Sequence, residues 1–176
     1  MSTLRIRVAT ETEIPAIAAL HLLSWKTAYR GVVPDDLLDY DPTDSRTIEG
    51  SMAGWRSTLT ANPENLTVAQ YDDDGIVGFC CAGAVDDATR NAPFDFQVYG
   101  LHVDPAHYRR GIGSALFRNA LVRMGCLGLN RPIVWTLEDL SQSRRFYEKL
   151  GGKVVREGMW DLRGHKLREV AYGWNG

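Results

Sequence analysis

Apolar and polar side chains repeat with different periods along this chain, and each period predicts a type of element. Residues 4–8 alternate apolar with charged side chains, which is the period of a half-buried strand. Thr10 and Glu13 then have the spacing of a capping box, and apolar residues recur every three or four positions up to Ala28. The pattern predicts a strand followed by a helix that ends near residues 29–31.

The next part of the chain combines helical and strand-like patterns. A short helical turn is predicted after Pro34, and a longer helix after Pro42, where apolar residues follow helical spacing. Residues 66–71 and 76–85 are strand-like, and the acidic segment 72–75 between them predicts a hairpin turn whose glycine can adopt positive φ. We interpret the acidic run as a solvated turn rather than a binding patch. The apolar residues of the longer helix are Ile48, Met52, Trp55 and Leu59.

The second half of the chain begins with a loop over residues 86–94 and then alternates strands with helices. Its last two strands form a hairpin around Arg163 and Gly164, which have turn chemistry. The predicted elements are a strand over 96–103, a helix that ends near Met124, a strand over 132–137, a helix over 141–150, and hairpin strands over 153–160 and 167–174.

The order of these elements, β-α-α-β-β-β-α-β-α-β-β, predicts the fold class. It indicates an α/β (α+β) fold with a mixed, mostly antiparallel sheet flanked by helices, and with parallel pairing where two strands flank a crossover helix. The chain has 176 residues, of which 44% are hydrophobic and 24% charged, enough to bury one core. We therefore expect a single domain over residues 1–176.

Charge and hydropathy exclude several function classes. The net charge of −2 argues against a broad nucleic-acid-binding face, which requires a concentrated excess of Lys and Arg. No apolar run reaches the roughly 18 to 20 residues that cross a bilayer, and the first residues lack the apolar core of a signal peptide. We expect a cytoplasmic protein that binds neither nucleic acid nor membrane.

The cysteines and histidines give no sign of a metal site. Cys80 and Cys81 are neighbours on a strand and should point to opposite faces, while Cys126 stands alone. We expect reduced thiols in the core. The histidines lack zinc-ligand spacing, so we predict no metal. They are His21, His102, His107 and His165.

Residues 103–116 have the character of an anion site. A strand runs through a basic, glycine-containing turn into a helix, whose first N–H groups have no partner within the helix and carry partial positive charge. Arg109 and Arg110 add full charges, and Gly111 and Gly113 lack the Cβ that would hold a pyrophosphate away. An Asp at either glycine should therefore weaken anion binding while largely preserving the fold.

Two other phosphate-binding motifs do not fit this turn. A Rossmann dinucleotide site needs a third glycine and an acidic residue about 20 positions further on, where this chain has Asn130 and Arg131. A phosphate-loop NTPase needs Gly-Lys-Ser or Gly-Lys-Thr, which does not occur in the sequence.

Two motifs resemble those of the GNAT acetyltransferase superfamily. Residues 108–113 resemble its coenzyme A pyrophosphate loop, with Tyr108 in a place usually held by Gln or Arg. Residues 143–152 resemble its Phe-Tyr-x-x-x-Gly-Phe signature, with Gly152 in place of the final Phe, and Leu140 stands where Asn is frequent. Residues 24–29 also resemble segments of bacterial members.

The resemblance implies a fold and an activity. GNAT domains have the predicted order of elements, and they transfer an acetyl group from acetyl-CoA, a co-substrate, to a primary amine of a small molecule or peptide. The cofactor would lie between the two splayed strands 96–103 and 132–137, with Tyr147 near the departing thiolate. The residues implied in cofactor binding are Leu101, Val103, Tyr108, Arg109, Arg110, Gly111, Ile112, Gly113, Ser114 and Ser143.

The resemblance leaves the proton acceptor and the acceptor substrate open. His102, Glu138, Asp139 and a water relay are alternatives for the first. Trp25 and Tyr29, with the loop 31–38, are candidates for the acceptor site, and Asp86 or Asp87 for attracting an ammonium group. The alternative function is a non-catalytic CoA-binding regulatory module of the same fold. The sequence also leaves a homodimer open.

Overall fold

A computed structural model of the chain describes residues 3–72, 74–86 and 91–174. The described strands are β1 (Leu4–Val8), β2 (Leu66–Tyr71), β3 (Gly75–Ala84), β4 (Phe96–Val103), β5 (Pro132–Leu137), β6 (Lys153–Leu162) and β7 (His165–Gly173). The described helices are α1 (Ile14–Ala28), α2 (Ser45–Ala61), α3 (Ile112–Cys126) and α4 (Ser141–Lys149).

The seven described strands form one mixed sheet in the order β1-β2-β3-β4-β5-β7-β6. All neighbours are antiparallel except β4 and β5, which run parallel because α3 connects them as a crossover helix. The last hairpin places β7 between β5 and β6. The predicted fold class is therefore confirmed.

Helices cover both faces of the sheet. α1 and α2 pack on one face, where Ile14, Ile17 and Phe79 are fully buried. α3 and α4 pack on the other face, against a core that includes Phe117 and Tyr172. The face on which each side chain of β3 and β4 lies therefore decides which pair of helices it meets.

The predicted elements match the observed ones in order and closely in extent. α1 begins at Ile14, four residues after Thr10, because the Thr10–Glu13 capping box closes a 3-10 turn over Glu11–Glu13 first. The final hairpin is longer than predicted, since β6 reaches Leu162 and β7 starts at His165. Asp73 of the acidic turn and residues 87–90 of the predicted loop lie outside the described residues.

The cysteines differ in part from the prediction. Cys80 and Cys81 are buried on opposite faces of β3, as expected from strand geometry. Cys126 is exposed, and the expectation of a core position for it is wrong. It is the last residue of α3, at an exposed end of the helix where the next residue, Leu127, is exposed as well. Within the described ranges, no helix is both long and apolar enough to span a membrane.

Candidate active site

The sheet is open between β4 and β5. The two strands pair only through residues 96–98 and 132–134, and the later residues of β4 have no described strand partner on that side. A bulge coincides with this point, because Cys81 pairs with Gly100 and Ala82 with Val98, which leaves Tyr99 between them. A bulge bends its strand and increases the local twist. We call the resulting space the β4–β5 gap, and residues 100–103 form its β4 edge.

The β4 edge leads directly into the glycine turn. Asp104 caps a short 3-10 turn by accepting from the Ala106 N–H at 2.9 Å. Arg109 (φ +64°) and Gly111 (φ +79°) are both left-handed, and α3 begins at the next residue. The first hydrogen bond of the helix joins the Ala115 N–H to the Gly111 carbonyl at 3.0 Å. The N–H groups of residues 112–114 have no hydrogen-bond partner among the described residues, so they are available to a ligand.

The two glycines of the turn meet different surroundings. A β-carbon added at Gly111 would meet no described atom within 4 Å, so this glycine faces open space. A β-carbon added at Gly113 would lie 3.2 Å from Cε2 of Phe146. The absence of a side chain at Gly113 therefore has a packing reason, the contact between α3 and α4. A side chain at Gly113 requires the Phe146 ring to shift by a few tenths of an ångström, and the expectation that Gly113→Asp leaves the fold largely intact stays a prediction.

The other residues of the turn differ in what they offer a ligand. Arg109 and Arg110 are exposed and add positive charge at the helix start. Ile112 is buried in the core, so it offers only its main chain. Tyr108 is half-buried, and burial raises the pKa of its phenol. Leu101 and Val103 pack against the α3 side, while Ser114 and Ser143 are half-buried in the first turns of α3 and α4.

Tyr147 lies on α4 with 7% of its surface exposed. Its hydroxyl makes no hydrogen bond to any described residue, and burial raises its pKa well above the usual range. Cys80 of β3 and Tyr29, the residue after α1, make smaller electrostatic contributions that also raise the pKa of Tyr147. The phenol therefore stays protonated and available to a ligand. Its ring contacts are Phe117, Phe146, Tyr172 and Trp174.

Hydrogen bonds hold α4 against β7 on both sides of Tyr147. Arg144 Nε donates to the Tyr172 hydroxyl at 3.1 Å, and that hydroxyl donates to Glu148 Oε1 at 2.7 Å. Arg144 also donates to the Glu138 carbonyl at 3.2 Å. Leu140, just before α4, is buried in an apolar cluster and offers no polar side-chain group.

His102 projects from β4 toward α1. Its Nδ1 lies 2.8 Å from Ser24 Oγ, its ring stacks on Phe79 at 5.0 Å, and the His21 ring meets it edge-on at 4.9 Å. Burial, with a smaller contribution from His21, lowers the pKa of His102 to about 3. Burial also lowers the pKa of His21 to about 4. Both imidazoles are therefore neutral at pH 7.

The two carboxylates proposed as alternatives to His102 are placed differently. Glu138 Oε2 accepts from Arg168 Nε at 2.9 Å, in an ion pair at the end of β5. Asp139 is exposed. A proton acceptor at Glu138 would have to give up this ion pair in order to act.

Aromatic rings continue from His102 along α1. Trp25 lies 5.8 Å from His21, and its ring stacks on Tyr29 at 4.2 Å with 5° between the planes. Trp160 of β6 meets Trp25 edge-on at 5.9 Å. Burial raises the pKa of Tyr29 to about 12. The rings of Trp25, Tyr29 and Trp160 therefore form a continuous wall that begins where His21 contacts His102.

The structure describes only one of the two aspartates that were candidates for attracting an ammonium group. Asp86 is exposed just after β3, where its charge helps to raise the pKa of Tyr99, although burial is the larger cause. Asp87 lies outside the described residues.

Sequence reasoning missed three residues of this region. Ser24 is 3% exposed and its hydroxyl contacts His102, whereas the sequence places it only within a helical segment. From the sequence, His21 is only one position of a helical stripe and Trp160 only a strand residue, and neither is assigned to the site. The signal available for Ser24 was its spacing, one helical turn after His21 on the apolar stripe of the predicted helix.

The fold and the site together define a class of protein. A helix start with unpartnered N–H groups leads along an open strand edge toward a protonated tyrosine and a neutral imidazole. Residues 19–152 match the family model described as "Acetyltransferase (GNAT) family". The chain belongs to this family, and it is an acyltransferase of the N-acetyltransferase type.

Individual relatives agree with this assignment. The chain is 26% identical over 169 residues to the uncharacterized N-acetyltransferase YuaI of Bacillus subtilis, covering 96% of this chain and 91% of that protein. It is 28% identical over 148 residues to the probable N-acetyltransferase Rv2775 of Mycobacterium tuberculosis, covering 84% and 79%. The fold matches PaiA N-acetyltransferase from Thermoplasma acidophilum in complex with coenzyme A, with a TM-score of 0.72 and 18% identity, covering 98% and 99%.

Proposed function

We propose that this protein transfers an acetyl group from acetyl-CoA directly to a primary amine of a small molecule or peptide. The observation that carries the proposal is the course of the β4–β5 gap. It begins at the free N–H groups that follow Gly111 and extends along β4 to Tyr147 on the α4 side and His102 on the α1 side. The pyrophosphate of acetyl-CoA would lie at the helix start, its extended pantetheine chain along β4, and its thioester near Tyr147 and His102.

The residues of the turn suit a pyrophosphate. The unpartnered N–H groups of residues 112–114 would bind a phosphate, and a side chain at Gly111 would project into the open space beside this helix start. Arg109 and Arg110 supply positive charge beside it. The unpaired main-chain groups near Leu101 and Val103 would bind amides of an extended chain, because backbone polar groups away from water need partners. Ser114 and Ser143 would add hydroxyl groups.

Tyr147 would stabilise the leaving thiolate. When bound, acetyl-CoA supplies a thioester carbonyl for attack by the amine and a thiol as leaving group. Complete proton transfer from an ordinary tyrosine, with a pKa near 10, to a thiolate of pKa about 8.5 is uphill by about 2 kcal/mol. Burial raises the pKa of Tyr147 further. The phenol therefore acts mainly by donating a charge-assisted hydrogen bond.

His102 would align the amine rather than remove a proton from an ammonium ion. The pKa of His102 is about 3, whereas an α-ammonium group has a pKa of about 8. Transfer across five pKa units would be uphill by about 7 kcal/mol. Releasing the proton of an α-ammonium group to water at pH 7 costs about 1.4 kcal/mol, whereas a lysine-like ammonium group costs about 4.6 kcal/mol. His102 then accepts a hydrogen bond from the neutral amine, and amines of low pKa react best.

Trp25 and Tyr29 would form one wall of the acceptor site. Their stacked rings are connected to His102 through His21, so an acceptor whose amine reaches His102 would lie along them. Apolar rings at this place favour an acceptor with an apolar or aromatic group near its amine.

A thiol-release assay tests the proposal. Purified protein, acetyl-CoA and one acceptor at a time would be followed at pH 7 and pH 8 over a panel of α-amino compounds, lysine-containing peptides and aminoglycosides, with and without a chelator. We expect thiol release that requires an acceptor, is unaffected by the chelator and increases with the neutral fraction of the amine. Calorimetric binding of acetyl-CoA without turnover on any acceptor would contradict catalysis and favour a CoA-binding regulatory module.

A further inference from the structure

Ser24 connects helix α1 to the imidazole of His102. Its hydroxyl is buried, donates to the His21 carbonyl at 3.0 Å and lies 2.8 Å from His102 Nδ1. The two residues are 78 positions apart in the chain, so this contact is made only by the folded structure.

The two contacts of Ser24 determine which ring nitrogen of His102 carries the proton. A serine hydroxyl has one hydrogen to donate and two lone pairs that accept. The His21 carbonyl can only accept, so both contacts form together only when the hydroxyl donates to the carbonyl and His102 Nδ1 donates to the hydroxyl. The opposite arrangement, with the hydroxyl donating to Nδ1, would lose the bond to the carbonyl. The arrangement that keeps both hydrogen bonds of Ser24 thus places the ring proton of His102 on Nδ1 and leaves the lone pair on Nε2.

The other side of the ring is left uncovered. Nε2 has no hydrogen-bond partner in the described part of the chain, and it lies beside Gly100 at the start of the β4 edge. A β-carbon added at Gly100 would lie 3.3 Å from Nε2. Apart from His102 and the adjoining backbone, no described atom lies within 4 Å of that position, so the space beside Nε2 is open on the Gly100 side.

We propose that Ser24 is a positioning residue that holds His102 in the Nδ1-protonated tautomer, so that the free lone pair of Nε2 faces the acceptor amine. The catalytic part of this inference rests on the proposed role of His102 in acetyl transfer. The tautomer itself does not depend on that role, since it follows from contacts within the ligand-free protein.

The tautomer is measured by long-range ¹H–¹⁵N correlation of the histidine rings in the ligand-free protein. We expect wild-type His102 to show a protonated Nδ1 and an unprotonated Nε2. Ser24→Ala should shift the proton toward Nε2, whereas Ser24→Thr, which keeps a hydroxyl, should retain the wild-type pattern. Thr27→Ala is the matched control, because it removes a side-chain bond of 2.8 Å to the Leu23 carbonyl in the same helix without touching His102. A wild-type ring protonated on Nε2, or an unchanged ring in Ser24→Ala, would overturn the inference.

Turnover measurements test the positioning role of Ser24 in acetyl transfer. With an acceptor identified in the thiol-release assay, Ser24→Ala should lower kcat by roughly 10-fold or more, because the amine is no longer held in the reactive orientation. The KM for acetyl-CoA should remain unchanged, and Ser24→Thr should restore most of kcat. A shifted tautomer with unchanged kcat would overturn the positioning role while leaving acetyl transfer intact. If no acceptor supports turnover, the proposed function fails, and the ring spectra still decide the tautomer.

Discussion

The indole ring of Trp174 lies directly over Gly152. A β-carbon added at Gly152 would be 2.7 Å from Cζ2 of Trp174 and 3.0 Å from the Tyr147 carbonyl. The Trp174 Nε1–H donates to the Leu150 carbonyl at 2.8 Å, which fixes the ring in this place. The ring thus fills the space beside the end of α4, and the glycine found where the GNAT signature has Phe is the partner that this ring requires.

We expect Gly152→Ala to lower the free energy of unfolding by about 1–3 kcal/mol, the usual effect of overpacking. Trp174→Ala alone should cost about 3–5 kcal/mol through lost packing. The double variant should cost less than the two together, because the added methyl group no longer meets the ring. Urea unfolding of the four proteins measures this coupling. Strictly additive energies would show that the ring and the glycine do not depend on each other.

A second glycine is predicted to depend on an aromatic ring in the same way. Gly113→Ala should destabilise the protein, because the added carbon meets Phe146 at 3.2 Å. A gain of up to about 1 kcal/mol in helix propensity opposes this effect. In a Phe146→Leu background the clash is removed, so Gly113→Ala should become neutral or stabilising. Thermal and urea unfolding in both backgrounds check the reversal of sign, and the same loss in both would contradict the packing explanation.

Gly111 is predicted to act on ligand binding rather than on stability. Gly111→Asp and Gly111→Asn have the same size and share the cost of a left-handed backbone, which both residues tolerate. Only Asp adds a negative charge beside the expected pyrophosphate. We expect its Kd for coenzyme A to exceed that of Gly111→Asn by at least about 10-fold at low ionic strength, and the ratio to shrink with salt. Calorimetry measures both constants, and equal values would argue against a phosphate at this turn.

The two half-buried histidines of the site predict a pH dependence of stability. The pKa values of His102 and His21, about 3 and about 4, lie below the ordinary 6.5 of the unfolded chain. The unfolded state therefore binds protons first as the pH falls from 6.5, and stability is lost toward pH 4. Each residue contributes a slope of at most about 1.4 kcal/mol per pH unit. Urea unfolding between pH 7 and pH 4.5 should give a shallower slope for His102→Gln, and an identical slope would contradict the account.

Much of the fold follows from local sequence patterns. β4 and β5 are apolar segments bounded by turn residues, and their predicted bounds agree with the structure. The glycine turn and the tyrosine of α4 are recognisable because each belongs to a short motif. The local sequence determines these features, so reading along the chain finds them.

Contacts between distant residues could not be predicted in this way. Ser24 is an ordinary helical serine until the fold brings it to His102, and Gly113 is read as a cradle for phosphate until Phe146 is placed beside it. The same holds for Gly152, whose partner Trp174 directly follows the last strand. Each depends on how helices cross the sheet, which hydrophobic periodicity alone does not specify.

The turnover of Tyr147→Phe tests the central claim, acetyl transfer with Tyr147 assisting the thiolate. The substitution keeps the ring and removes a hydroxyl that bonds to no described residue, so stability and the Kd for acetyl-CoA should remain close to wild type. Tyr71→Phe, on β2, is the matched control and should keep full activity.

Thiol release with an identified amine acceptor is the deciding measurement. We predict that Tyr147→Phe lowers kcat by roughly 10- to 150-fold, the loss of one hydrogen bond of about 1.5–3 kcal/mol to a charged group, with the KM for the acceptor little changed. A folded Tyr147→Phe protein that binds acetyl-CoA normally and releases thiol at the wild-type rate would contradict the account.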